Sequence, residues 1–373
     1  MLHWFDPNFP LNLIYNTLNL LTVIFIIFIV AVRYNVKKNI LILLIITTIF
    51  PLLLNGPLMV WYELPDQSKY FKDAKMFRNF NFESLDTRIS INLPSAILAY
   101  TPIPYLENFN AMGLANRLIF SLFIIFLIVK NKINNYVVYY LILSPTMLLY
   151  SSTGLKEILV ITVTTLVLFA LKDRKMILFV LSLYILFLIK TQNAGVIFVM
   201  CLVSFFYFKV NAKINILTNI LLTTTVGILL FFILEEISFL ETLNGKIYTF
   251  CEEDPLCDYS ETKMIKSYKD LFLILPYRIF TFLLSPTPTS PLQLIWLLDG
   301  IVALFFIYKI FLRLFKKDPK EFYFWAFSLL LFLAMYGLTI YNDGTIVRYK
   351  LSFIIPFLIV MTYADKNYRI KKK

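Results

Sequence analysis

Apolar stretches of about 15 to 22 residues recur from one end of this 373-residue chain to the other. Each is long enough, or nearly so, to cross a hydrocarbon layer of about 30 Å as a helix. Backbone in hydrocarbon must satisfy its own hydrogen bonds, which leaves helices and closed barrels. Nothing here alternates with period two, so a barrel is excluded. The pattern predicts an all-α, polytopic integral membrane protein. The composition, 59% hydrophobic and 16% charged, agrees. The first run begins near Leu11, after a start that lacks Lys and Arg. A cleavable signal would carry a basic flank, so this run is read as a retained span.

Eleven spans are expected, near 12–32, 39–60, 114–130, 134–150, 157–171, 176–189, 193–208, 214–234, 292–312, 322–341 and 349–364. Alternate loops are basic. The segments 33–38, 130–132, 172–175, 209–213, 309–320 and 365–373 hold 20 of the 35 Lys and Arg, so the net charge of +12 reads as an orientation signal, not a nucleic-acid footprint. These loops are cytoplasmic by the positive-inside rule. The N-terminus then lies on the outer side and the C-terminus on the cytoplasmic side. That parity requires 268–286, interrupted by Pro276 and Arg278, to lie in the outer interface. With no linker and no repeat of fixed period, 1–373 reads as a single polytopic domain. Its two long outer segments are 61–113, opening with an amphipathic helix, and 235–291. The helix sets Tyr70, Phe71, Ala74 and Phe77 on one side, and Pro residues of the following PSAILAYTPIPY mark a turn or broken helix. Cys251 and Cys257 bracket EEDPL in the second segment, where a periplasmic pair would form a small-loop disulfide; Cys201, within a span, reads as packing.

Ionisable groups in or beside a span cost several kcal/mol unless they face a cavity or a partner, so each is a site candidate. The outer side offers Asp66, Lys69, Asp73 and Arg78 on the amphipathic helix, Lys156 and Glu157 in SSTGLKE, Lys190 in IKTQN, Arg278 in LPYRIF, and Arg348 and Lys350 in GTIVRYK. Plainer readings stand beside these. Lys156–Glu157 fits an interfacial pair, Lys190 a snorkelling lysine, Arg278 a headgroup contact and Asp73 a solvated helix face. Asp299 reads as structural and Glu252 to Asp254 as a solvated acidic loop. Arg348 and Lys350 are basic anchors on the side where anchors are rarer, which favours a functional role.

The available chemistry is narrow. The lone His3 leaves no base for a Ser or Cys nucleophile, and no phosphate-cradling glycine loop or metal-ligand spacing occurs. No cofactor is implied, although Asp66 has the chemistry to join a carboxylate to a hard cation. Carboxylates with Arg and Lys remain. A carboxylate can take a hydroxyl proton, and cations can stabilise a departing phosphate or diphosphate.

Three motifs carry a resemblance. D-x-x-x-Y-F-x-x-A (Asp66, Tyr70, Phe71, Ala74) resembles the outer-loop acidic motif of GT-C polytopic glycosyltransferases. SP-x7-GLKE (Ser144, Pro145, Gly154 to Glu157) is similar to a segment of oligosaccharide repeat-unit polymerases, as is G-T-x-x-R-Y-x5-P (Gly344, Thr345, Arg348, Tyr349, Pro356) at the last span. The resemblance is to Wzy-type polymerases of O-antigen or capsule and their GT-C-like relatives. It implies polymerisation of polyprenyl-diphosphate-linked oligosaccharide repeats at the periplasmic face, beside a flippase and a chain-length regulator, with lipid as solvent. It implies Asp66 as base or acceptor-orienting carboxylate, with Glu157 behind it. Arg348, Arg278, Lys156, Lys350 and Lys190 would hold the diphosphate, and Tyr70 and Tyr349 would stack on sugar or fix those groups. Alternatives are a GT-C enzyme adding one sugar from a polyprenyl-phosphate donor, a flippase or transporter for the same lipids, a membrane acyltransferase, and a structural partner without catalysis.

Overall fold

Apolar periodicity, capped and interrupted at definite residues, sets the helices. The computed structural model describes residues 9–58, 64, 66–83, 85–209, 239–252, 265–286, 291–340 and 343–371. Among them every regular element is a helix. In chain order these are α1 (Phe9–Arg33), α2 (Lys38–Thr47), α3 (Phe50–Asn55), α4 (Asp66–Arg78), α5 (Ile89–Ala99), α6 (Phe109–Val129), α7 (Asn135–Leu143), α8 (Pro145–Ser151), α9 (Glu157–Lys172), α10 (Met176–Ile189), α11 (Thr191–Lys209), α12 (Phe239–Glu252), α13 (Tyr268–Leu284), α14 (Pro291–Lys317), α15 (Pro319–Thr339) and α16 (Asp343–Lys371).

Among the described residues, six stretches are long and apolar enough to cross a membrane: Leu11–Arg33, Lys38–Asn55, Phe109–Val129, Gln293–Lys317, Pro319–Thr339 and Thr345–Ala364. They coincide with six of the eleven expected spans. The others differ for local reasons. The run 134–150 breaks at Ser144, whose side chain caps α8 by accepting from the Met147 N–H at 3.1 Å, with Pro145 opening that helix. The runs 157–171 and 176–189 form helices of 16 and 14 residues, short for a full crossing. The run 193–208 falls within α11. The run 214–234 and Cys257 lie outside the described residues, as does the Cys251 side chain, and with them the expected disulfide. The segment 268–286 forms α13, with Pro276 inside it, and is not among the six. Leu13, Leu21, Phe25 and Phe28 of α1 and Ile177 of α10 are exposed, a surface that suits lipid rather than water.

The chain divides into two units, one of residues 1–194 with 354–373 and one of residues 195–353. In the first, α6 is the axis. Fourteen of its residues are buried, and α1 and α3 pack on it. Asn108 caps its start by accepting from the Ala111 N–H at 3.1 Å. Gly113 is required where α6 meets the chain after α8: a Cβ there would stand 2.2 Å from the Ser152 carbonyl oxygen. Helices α4 and α5 form a hairpin, and α5 also packs on α10. The irregular stretch after α5 is tied to α1, where the Asn19 side chain pairs with both backbone groups of Tyr105 at 2.7 and 2.9 Å. At another edge of this unit Lys132 binds Asp173 at 2.7 Å, and the Tyr363 hydroxyl donates to the same carboxylate at 3.1 Å.

In the second unit α15 is central, with α12, α13 and α14 around it. Phe353 stacks on Phe332, Tyr336 and Phe282 at ring separations of 5.0, 5.6 and 6.2 Å. Gly337 lets α13 approach α15: a Cβ there would lie 3.0 Å from the Arg278 carbonyl oxygen.

Candidate functional site

The predicted amphipathic helix is present as α4. Tyr70 and Ala74 face inward as expected, but Gln67 and Asp73 share that buried face. Asp73 is 2% exposed, so it is not the solvated side chain its neighbours suggest. The reason is tertiary. Residues 85–88 return across α4, and the Asp86 N–H donates to Asp73 Oδ2 at 3.4 Å. Arg88 then closes on Asp86 through two bonds of 2.9 and 2.8 Å. Asp66, at the first turn, pairs with Lys69 at 3.2 Å. Its charge favours the helix N-terminus.

Beside Asp66, and without it in the wall, lies a cleft of about 450 Å³ lined by Lys69, Lys72, Asp73, Leu85, Asp86, Thr87 and Arg88. Its electrostatics are uneven. The Arg88 hydrogen bond, above all, holds the Asp86 carboxyl well below the usual carboxylate range. Burial pushes the Asp73 carboxyl up; the Asp86 amide opposes this and the Asp86 charge adds to it. Asp86 in turn raises Arg88. Among the described residues, no group of three or more His, Cys, Asp or Glu is placed to hold a metal ion.

The SSTGLKE motif folds as a buried, non-helical stretch from Ser152 to Leu155, between α8 and α9. Buried irregular backbone needs partners for its polar groups from protein or trapped water. Amide side chains do so here. Asn116 Nδ2 donates to the carbonyls of Thr153 and Leu155, both at 2.7 Å, and of Tyr150 at 3.3 Å. Asn55 donates to the Ser152 carbonyl at 3.0 Å, and Gln67 of α4 accepts from the Gly154 N–H at 2.8 Å. The stretch is thereby fastened both to α6 and to the charged hairpin. Arg117, next to Asn116, is wholly buried and donates to Ser151 Oγ at 2.6 Å and to Thr47 Oγ1, with its guanidinium over the Phe120 ring. Sequence reasoning passes over Arg117. An arginine four residues into the apolar run 114–130 meets the criterion applied to the other charges, and that was the available signal.

The sequence-predicted cations have definite tasks. Lys156 Nζ donates at 3.1 Å to the Ser90 and Ile189 carbonyls. Pro94 lies inside α5, which runs through it to Ala99; of the turn or broken helix expected in this proline-bearing stretch, the turn is what forms, over residues 100–104. Proline supplies no N–H to the carbonyl four residues back, and that carbonyl belongs to Ser90. The lysine fills the gap while capping the end of α10. Arg278 does the same for the end of α15, donating to the carbonyls of Gly337 at 3.0 Å and Ile340 at 3.1 Å. Lys350 serves the end of α13, donating to the carbonyls of Leu283 at 3.1 Å and Ser285 at 2.5 Å. All three meet orphan carbonyls where a helix dipole favours positive charge. Lys190 is buried at the turn from α10 to α11 and does not extend to water. Glu157 is buried at the start of α9, a favourable end for its charge. Tyr70 is buried within the hairpin, and Tyr349 meets Tyr336 edge-on at 5.3 Å. Arg348 lies on α16, half-buried. Asp66, Tyr70, Lys156, Glu157 and Lys190 thus belong to the first unit, and Arg278, Arg348, Tyr349 and Lys350 to the second.

Comparison with protein-family models, with curated proteins and with solved structures returns no match for this chain.

Proposed function

We propose that this chain is a membrane glycosyltransferase that joins saccharides carried on polyprenyl diphosphate, extending repeat units at the outer face of a bacterial inner membrane. One observation carries the reading. A cleft lined by carboxylates and cations lies on a helical hairpin in the same unit as helices long enough to span the bilayer. Lipid-linked substrates present their diphosphate at headgroup depth, where a hairpin of this kind would lie. Carboxylates supply proton transfer and acceptor binding, and cations offset charge on the departing diphosphate. Arg278, Lys350 and Lys156 bind helix ends, so Lys69, Lys72 and Arg88 are the cations that the cleft itself offers. Asp66 orients the acceptor from the adjoining helix turn.

The test uses the purified full chain in detergent, without a membrane gradient. The probe is polyprenyl-diphosphate-linked oligosaccharide extracted from the source cells. Products of increasing length with release of polyprenyl diphosphate are expected. Products longer by one sugar alone would indicate single-sugar transfer. Absence of any new glycosidic bond, with lipid-linked sugar moved across vesicles instead, would replace the enzyme with a carrier.

A further inference from the structure

Helix α4 carries two aspartates on one side, seven residues and so two turns apart. Their surroundings differ. The Asp66 side chain is 40% exposed and neutralised by Lys69. Asp73 is almost fully buried yet forms part of the cleft wall. Lys69 and Lys72 flank it from its own helix, and Asp86 and Arg88 face it from the returning chain. The third carboxylate, Asp86, is held in two bonds by Arg88.

Resting on the glycosyl-transfer reading above, we propose that Asp73 is the general base that takes the proton from the acceptor sugar hydroxyl. The acceptor oxygen attacks the anomeric carbon of the donor. A new carbon–oxygen bond forms as the bond from that carbon to the diphosphate breaks. The electron pair leaves with the polyprenyl diphosphate, beside Lys69 and Lys72, and the hydroxyl proton ends on Asp73. Of the three carboxylates, Asp86 is the poorest base because Arg88 stabilises its ionised form, and Asp66 is not part of the cleft lining. Asp73 alone is both on the wall and made more basic by burial and by the Asp86 charge.

The experiment measures transfer against pH with the full chain and the lipid-linked oligosaccharide extract. Asp73→Asn is expected to lower kcat by about 100-fold or more while remaining monodisperse and no less heat-stable than the wild type. Asp66→Asn is expected to raise the acceptor KM and leave the acid limb of the pH profile in place. Asp86→Asn removes a like charge and frees Arg88, so the acid limb moves to lower pH. An Asp73→Asn enzyme within tenfold of wild-type kcat, or an acid limb that Asp86→Asn leaves fixed or moves upward, overturns the assignment while the glycosyl-transfer reading stands. Wild type that transfers nothing overturns that reading itself, and the base falls with it. If Asp73→Asn fails to fold, the Asp86→Asn limb decides.

Discussion

Replacing Asn116 with Ala tests the account of the buried stretch most directly. Asn116 is fully buried, and its amide nitrogen holds two carbonyls at 2.7 Å with a third at 3.3 Å. Two N–H groups can satisfy two of these fully. The carbonyls belong to irregular, buried backbone, so truncation strands them where water is scarce. A stranded buried group costs about 1–3 kcal/mol, which gives roughly 2–6 kcal/mol for the pair. At about 2–4 °C per kcal/mol for a domain of this size, unfolding should fall by roughly 5–20 °C. The assay is the monodisperse fraction surviving a fixed heating rate in detergent. The adjacent Arg117→Met is the contrast. Its partners are hydroxyls that already donate to their own helices, Thr47 to the Leu43 carbonyl at 2.7 Å and Ser151 to the Leu148 carbonyl at 3.5 Å. Among the described residues no carboxylate lies within ion-pair distance of Arg117. Arg117→Met should therefore cost about 1 kcal/mol or less, or stabilise. An Asn116→Ala protein that melts with the wild type, or an Arg117→Met protein that melts more than about 4 °C below it, would refute the reasoning.

Further outcomes follow from other contacts. Gly113→Ala drives a methyl into the Ser152 carbonyl and should cost about 1–3 kcal/mol, read as lower heat resistance together with faster proteolysis near Gly154. Lys156→Met should cost about 1–3 kcal/mol by stranding the Ser90 and Ile189 carbonyls. Adding Pro94→Ala returns an amide donor to Ser90, so the double variant should recover part of the loss, as a double-mutant thermal cycle would show. The raised Asp73 carboxyl makes the unfolded chain lose that proton first. Its contribution to stability therefore falls as pH rises from the ordinary carboxylate value through the raised one. Asp73→Asn should flatten that part of the stability profile and melt at or above the wild type at neutral pH. The lowered Asp86 carboxyl works oppositely, and its contribution is lost only as pH falls through its depressed value.

The sequence makes helices legible because apolar periodicity and caps are local. Ser144–Pro145 could have been read as a helix restart, since a serine before a proline is a common way to begin one. Asp73 was half legible. It follows Asp66 by two turns and lies beside Tyr70 on the wheel, but its burial depends on residues 85–88 folding back, which no local pattern announces. Charge was legible and its use was not. Lys156, Arg278 and Lys350 stand out in any scan for misplaced cations. Their partners are main-chain carbonyls at the ends of other helices, and a one-letter code does not mark where another helix ends nearby.

The Lys156 ammonium also sets an order of assembly. It joins Ser90, made early in synthesis, to Ile189, made much later. The contacts of the α4–α5 hairpin with α10 can therefore form only after the tail of α10 has left the ribosome. A nascent chain stalled before Ile189 should expose the hairpin to added protease, and one stalled well beyond it should shield the same bonds.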